Sequence, residues 1–71
     1  MTNELLSIVG NNELRNELKP DMMAMSKYES LVIKCYNKVG SYSSNPSKFK
    51  KRLKMYIFIE SLSEQLPENV V

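Results

Sequence analysis

Glycine and proline divide this chain into helical segments, and their positions constrain the fold more than any other feature. The 71-residue chain has only two glycines and three prolines: Gly10, Pro20, Gly40, Pro46 and Pro67. Proline is favoured in the first turn of a helix, and glycine is favoured just after its last turn. We therefore predict a single all-α domain with short helical segments over residues 1–19, helices over 20–40 and 46–66, and a frayed tail over 67–71.

The first predicted helix is short and has a defined start and end. Thr2 is a suitable N-cap, and Leu5, Ile8 and Val9 share one face. Gly10-Asn11 ends the segment, and Leu14 and Leu18 mark a second short amphipathic run. Because these two apolar faces would point in different directions on one straight helix, we predict a break between them.

The helix predicted over residues 20–40 carries an apolar stripe with spacings of three and four residues. Pro20-Asp21 provides its start and Gly40 its end. Such spacing is typical of a helix that packs along a partner helix. The stripe consists of Met25, Tyr28, Val32, Cys35 and Val39.

The helix predicted over residues 46–66 begins at the cap-and-proline pair Asn45-Pro46. The run Met55–Ile59 has high β propensity, but it lies between helix-favouring stretches and has no turn residue at either end, so we favour helix over strand. A short polar connection joins two long helices of similar length. We therefore predict an antiparallel helical hairpin.

Both long helices carry apolar residues on more than one side, and the short N-terminal segments cannot cover all of them. We therefore expect a homodimer that completes a helical bundle. The alternative is a monomeric three-helix bundle with a few exposed apolar side chains. The residues predicted at the dimer or partner interface are Met22, Ile33, Tyr36, Ile57 and Phe58.

Several classes of function are disfavoured by residue types that the chain lacks. It has no histidine and a single cysteine, Cys35, so we expect no catalytic residues, no metal site and no disulfide within the chain. Two glycines cannot form a glycine-rich phosphate loop, so we expect no cofactor and no small-molecule substrate. The longest apolar run is Met55–Ile59, which predicts no membrane span and a cytoplasmic protein with a reduced, buried Cys35.

The formal net charge of +2 hides a strong segregation of charge along the chain. Residues 34–54 contain seven bases and no acid, whereas residues 55–71 contain three acids and no base. Lys34 and Lys38 lie at a predicted helix end, where the helix dipole favours cations, but five bases lie near a helix start, where it disfavours them. The candidate nucleic-acid or anion-binding residues are Lys48, Lys50, Lys51, Arg52, Lys54, Lys38 and Tyr42.

Further donors lie near these bases in the sequence. The free amides after Asn45 and the hydroxyls of Ser41, Ser43 and Ser44 would face the same anion, and the Tyr42 ring would stack on a base or ribose. The alternative is a solvated basic face that Glu13 and Glu17 partly neutralise.

Two functions of different class follow from these features. The first is a small non-enzymatic regulator that binds nucleic-acid phosphates through the basic helix start, with little sequence preference. The second is a protein-binding adaptor, inhibitor or chaperone-like subunit, in which exposed apolar helix faces meet a partner and the bases attract an acidic one.

Overall fold

The computed structural model describes residues 2–65, except for the side chain of Gln65. Over these residues the chain forms only α-helices, and the predicted all-α fold class is confirmed. The helices are α1 Asn3–Val9, α2 Asn12–Leu18, α3 Met25–Val39 and α4 Pro46–Gln65. The end of the last predicted helix, Leu66, and the predicted tail, 67–71, lie outside the described residues.

Short polar side chains cap three of these helices. Thr2, Asn11 and Asn45 precede α1, α2 and α4, and each side-chain oxygen accepts a hydrogen bond from the backbone amide three residues later, at 3.0 to 3.1 Å. Each bond satisfies one of the amides that the first turn of a helix leaves without a partner. The starts of these helices are therefore determined locally by the sequence.

α3 begins at Met25, five residues later than the sequence predicts, so the predicted start at Pro20 is wrong. Pro20 and Met23 instead form a turn, in which the Met23 amide donates to the Pro20 carbonyl oxygen at 3.0 Å. The turn places the Met23 side chain in the core, and Ala24 precedes the helix without a side-chain cap. Burial of an apolar side chain stabilises this turn over a longer helix.

Gly40 ends α3, as the sequence predicts, in a conformation that requires glycine. Its φ angle is +89°, a region that residues with a Cβ rarely adopt. Its amide donates to the Tyr36 carbonyl oxygen at 2.8 Å. The chain then turns through residues 41–45 into α4.

The core forms where α3 packs against α4. α1 also contacts α3, and α2 contacts α4, so each short helix covers part of one long helix. The predicted stripe of α3 supplies Tyr28, Val32 and Cys35 to this core. The other buried residues are Leu5, Ile8, Val9, Leu14, Met23, Leu31, Phe49, Leu53 and Ile57.

Two contacts show how α3 lies on α4. Near the start of α3, the Lys27 ammonium lies 3.4 Å from the Glu60 carboxylate and 2.7 Å from that of Glu64. Farther along α3, the Cys35 thiol donates to the Phe49 carbonyl oxygen at 3.5 Å. The start of α3 is therefore beside the end of α4. None of the described helices is long and apolar enough to cross a bilayer.

Candidate functional site on α4

Three exposed lysines lie along the first half of α4: Lys48, Lys51 and Lys54, which we call the lysine face. Residues three apart on a helix are neighbours, so these ammonium groups repel one another. Among residues 2–65, no carboxylate lies within 4.0 Å of any of the three. The lysine face is thus an exposed cluster of like charge, and the helix dipole also disfavours Lys48, which lies in the first turn of α4.

Lys50 lies four residues before Lys54, at the edge of the lysine face beside α2, and it has an acidic partner. Its ammonium donates to the Glu17 carboxylate of α2 at 2.8 Å, and this hydrogen bond raises the pKa of Lys50. Glu17 therefore neutralises one of the five clustered bases, as the solvated-face alternative proposed. Glu13 forms no such pair with a base in the described part of the chain.

Arg52 is half-buried and lies beside an aromatic ring. Its guanidinium is 6.0 Å from the centre of the Tyr56 ring, and the Lys34 ammonium of α3 is 4.8 Å from the same centre. Both distances are short enough for cation–π interactions, which attract the two cations to the face of the ring. Lys38 is exposed in the last turn of α3. Arg52 therefore borders the lysine face, and it lines a groove with Lys48 and Lys51.

The connection before α4 offers fewer anion donors than the sequence suggests. The Asn45 side chain occupies the Lys48 amide, and Pro46 has no amide. The Ser41 hydroxyl is hydrogen-bonded to both the hydroxyl and the amide of Ser43, at 2.7 and 3.1 Å. Most of the predicted donors are thus already used inside the connection.

Tyr42 is half-buried rather than free to stack on a base. Its ring packs edge to face against Phe49, with centres 5.7 Å apart and planes at 85°. Aromatic pairs favour this arrangement, because the positive edge of one ring meets the negative face of the other. The contact fixes the connection onto the core, and Tyr42 is a packing residue in this structure.

The predicted interface residues do not lie on one surface. Ile57 is only 5% exposed and belongs to the core of the chain itself, so its predicted place on an interface is wrong. Ile33 and Tyr36 are half-buried against the core, and the Tyr36 hydroxyl donates to the Glu4 carboxylate at 2.8 Å. Met22, in contrast, is 97% exposed, and Phe58 is also exposed.

Phe58 belongs to an exposed apolar stripe in the second half of α4 that the predicted interface largely missed. The stripe consists of Met55, Phe58, Ile59 and Leu62, which are between 42% and 63% exposed. Their spacing of three, four and seven residues places them on one face. This spacing is the signal in the sequence that identifies the stripe once Ile57 is assigned to the core.

The lysine face and the apolar stripe are continuous along the outer side of α4. A shallow groove lined by Lys48, Lys51, Arg52 and Met55 joins them. Lys51, Met55, Phe58 and Leu62 follow one another at spacings of four, three and four residues, as in a coiled-coil seam. The outer face of α4 therefore has a basic first half and an apolar second half.

Cys35 has the properties of a structural thiol. It is fully buried, and burial raises its pKa from 9.0 to about 11, although the nearby charge of Arg52 acts in the opposite direction. A thiol that stays protonated is a poor nucleophile. Within the described residues, no group of three cysteine, aspartate or glutamate side chains is arranged to hold a metal ion.

The chain matches no protein family, no curated protein and no solved structure.

Proposed function

We propose that this chain is a small non-enzymatic regulatory protein that binds nucleic-acid phosphates through Lys48, Lys51 and Lys54. The observation that carries the proposal is the cluster itself: three exposed lysines on one helix face, without an acidic partner among the described residues. Their mutual repulsion acts against this placement, and the helix dipole acts against Lys48 in the first turn of α4. A polyanion relieves both effects.

Recognition by this face involves the backbone of the nucleic acid and not its bases. Lysine ammonium groups pair with phosphates as point charges, whereas base reading requires side chains with fixed donor and acceptor patterns. Tyr42 packs on Phe49 and so does not contribute a stacking ring. We therefore expect binding with little sequence preference and a strong dependence on salt.

The salt dependence gives a quantitative test. If the three lysines of one protomer neutralise three phosphates of a duplex, the logarithm of the association constant falls with the logarithm of salt concentration with a slope of about −2.7 per protomer. Between about 50 and 200 mM salt, binding then weakens about 40-fold. Fluorescence anisotropy with random duplex and single-stranded oligonucleotides measures this slope. The absence of binding at the lower salt concentration would overturn the proposal.

A pair of variants with equal charge separates the lysine face from general electrostatic attraction. Lys51→Glu and Lys19→Glu change the net charge equally. Lys19 is the control because it lies between α2 and α3 and is not one of the three lysines of the lysine face; its ammonium donates to the Pro20 carbonyl oxygen. We expect Lys51→Glu to lose at least about tenfold more affinity than Lys19→Glu at the lower salt concentration. Equal losses would indicate attraction by net charge alone.

The proposal includes an antiparallel hairpin of α3 and α4, a homodimer and a cytoplasmic location. The contacts of Lys27 with Glu60 and Glu64, and of Cys35 with Phe49, support the hairpin. The exposed apolar stripe supports the dimer. In the cytoplasm Cys35 remains reduced, which suits a thiol without a second cysteine in the chain.

The apolar stripe also supports a second candidate function, a protein-binding adaptor, inhibitor or chaperone-like subunit. Four large apolar side chains on one exposed helix face are typical of a protein interface. In this case Lys51→Glu slows association with an acidic partner and leaves dissociation nearly unchanged, because the lysine only steers the encounter. A nucleic-acid binder instead loses most of its equilibrium affinity.

A further inference from the structure

We infer that the apolar stripe of Met55, Phe58, Ile59 and Leu62 is a self-association surface, on which α4 of a second copy packs antiparallel. The four residues provide one continuous exposed face, with Phe58 and Ile59 at its centre. A two-fold axis between these two central residues places Met55 of one copy opposite Leu62 of the other. The stripe is therefore complementary to itself.

Charge determines the orientation of this pairing. The first half of α4 carries five bases and no acid, whereas its second half, up to Gln65, carries Glu60 and Glu64 and no base. A parallel pair would bring the two lysine faces together. Glu60 and Glu64 face α3, where they contact Lys27, so they form no ion pair across this interface. An antiparallel pair is favoured because it separates the two lysine faces.

The exposed area sets the expected strength of the dimer. At roughly 200 Å² for a large side chain, the exposed fractions leave about 400 Å² of stripe uncovered per copy, or about 800 Å² in a pair. Stable interfaces bury about 1,200 Å² or more, so the stripe alone falls short of this area. The alkyl stems of neighbouring lysines supply only part of the difference. We therefore expect a reversible dimer that dissociates in the micromolar range.

The first experiment is sedimentation equilibrium over concentrations from about 1 to about 500 μM. We expect the average mass to rise from 8.2 kDa toward twice that value. Phe58→Asp places a charge at the centre of the stripe, and we expect it to raise the dissociation constant at least about tenfold. Leu6→Asp is the control, because Leu6 is also exposed but lies on α1.

Both variants should keep their helix content, because both positions are exposed, and circular dichroism checks this. A mass that stays at the monomer value at every concentration would overturn the inference. So would a Phe58→Asp variant that associates as strongly as the Leu6→Asp control, since the interface would then lie elsewhere.

Disulfide cross-linking tests the orientation. In the antiparallel pair, Met55→Cys of one copy cross-links to Leu62→Cys of the other, so a mixture of the two single variants gives a mixed product. The same positions on two copies are about 10 Å apart along the axis, beyond the roughly 7 Å that a disulfide spans between Cα atoms. Cross-linking of Met55→Cys mainly to itself would refute the antiparallel arrangement. The wild type, whose Cys35 is buried, is the control.

One consequence of the dimer also rests on the proposed function. With an axis between Phe58 and Ile59, the two Lys51 residues are about 22 Å apart and the two Lys48 residues about 31 Å apart along α4. Lysine side chains extend this span toward the repeat of about 34 Å of a DNA duplex. The wild type should then show about twice the salt slope of Phe58→Asp on a duplex longer than one turn. Equal slopes would refute this spacing, and absence of binding would refute the proposed function, but neither result would affect the cross-linked dimer.

Discussion

A buried hydroxyl provides the sharpest test of the packing in this chain. Tyr28 is 0% exposed, and its hydroxyl has no hydrogen-bond partner among the described residues. A buried polar group without a partner costs about 1 to 3 kcal/mol relative to its hydrated form. The ring itself packs against Val32 and the rest of the core, and Tyr28→Phe keeps that ring while it removes the hydroxyl.

We therefore expect Tyr28→Phe to stabilise the protein. The gain is about 1 kcal/mol, the lower end of the range, because removal of the oxygen also leaves a small void. For a domain of this size, about 1 kcal/mol raises the thermal midpoint by roughly 4 to 8 °C. Thermal unfolding followed by circular dichroism at neutral pH measures the shift.

Tyr36→Phe is the matched control, since it makes the same chemical change at a hydroxyl that has a partner. The Tyr36 hydroxyl donates to the Glu4 carboxylate at 2.8 Å. The pKa of Glu4 is lowered mainly by the hydroxyl of Ser41 and secondly by this contact with Tyr36. We expect Tyr36→Phe to lower the midpoint slightly. A lower midpoint for Tyr28→Phe as well would show that the Tyr28 hydroxyl has a partner, and would refute the reasoning.

Three further outcomes follow from the same contacts. Leu53→Ala, at a fully buried site, should cost about 2 to 5 kcal/mol in denaturant unfolding, and the same change at exposed Leu62 far less. Asn45→Ala removes the cap of α4 and should cost about 1 kcal/mol. Burial raises the pKa of Cys35 to about 11, so the thiol favours folding below pH 9 and this stability is lost as pH rises toward 11. Cys35→Ala should remove this part of the alkaline decline, about 2 to 3 kcal/mol in the free energy of unfolding.

The parts of the fold that the sequence predicts well are those determined by neighbouring residues. Asn45-Pro46 starts α4 through a cap and a proline, and Gly40 ends α3 through its positive φ angle. The helical run Met55–Ile59 was also predicted, because helix-favouring residues flank a segment of high β propensity. Each of these features needs no knowledge of the rest of the chain.

The parts that the sequence predicts poorly depend on distant contacts. Pro20 is an equally good start for a helix, but burial of Met23 against the core selects a turn instead. The pairing of Lys50 with Glu17 required α2 to lie on α4, and the sequence offered it only as an alternative. Lysine charge can be counted in a sequence, but its neutralisation depends on the fold.

The candidate site also depends on distant contacts, in this case for the choice between two neighbouring residues. Residues 55–59 are apolar on every side, so periodicity alone cannot separate Ile57 from Phe58. The two side chains point about 100° apart on the helix, and packing of α3 decides that Ile57 is buried and Phe58 exposed. A wrong choice between neighbours moves the predicted interface to another face of the molecule.

α4 carries bases in its first half and acids in its second half, and only some of these charges have a partner of opposite charge among residues 2–65. Glu60 and Glu64 lie toward the end of the helix, where the dipole disfavours acids, but both contact Lys27 of α3. Lys50, near the start, contacts Glu17 of α2. The fold thus supplies partners for the charges that face other helices and none, within the described residues, for the lysine face. The charges of α4 without a carboxylate partner in this part of the chain are all bases of its first half: Lys48, Lys51, Arg52 and Lys54.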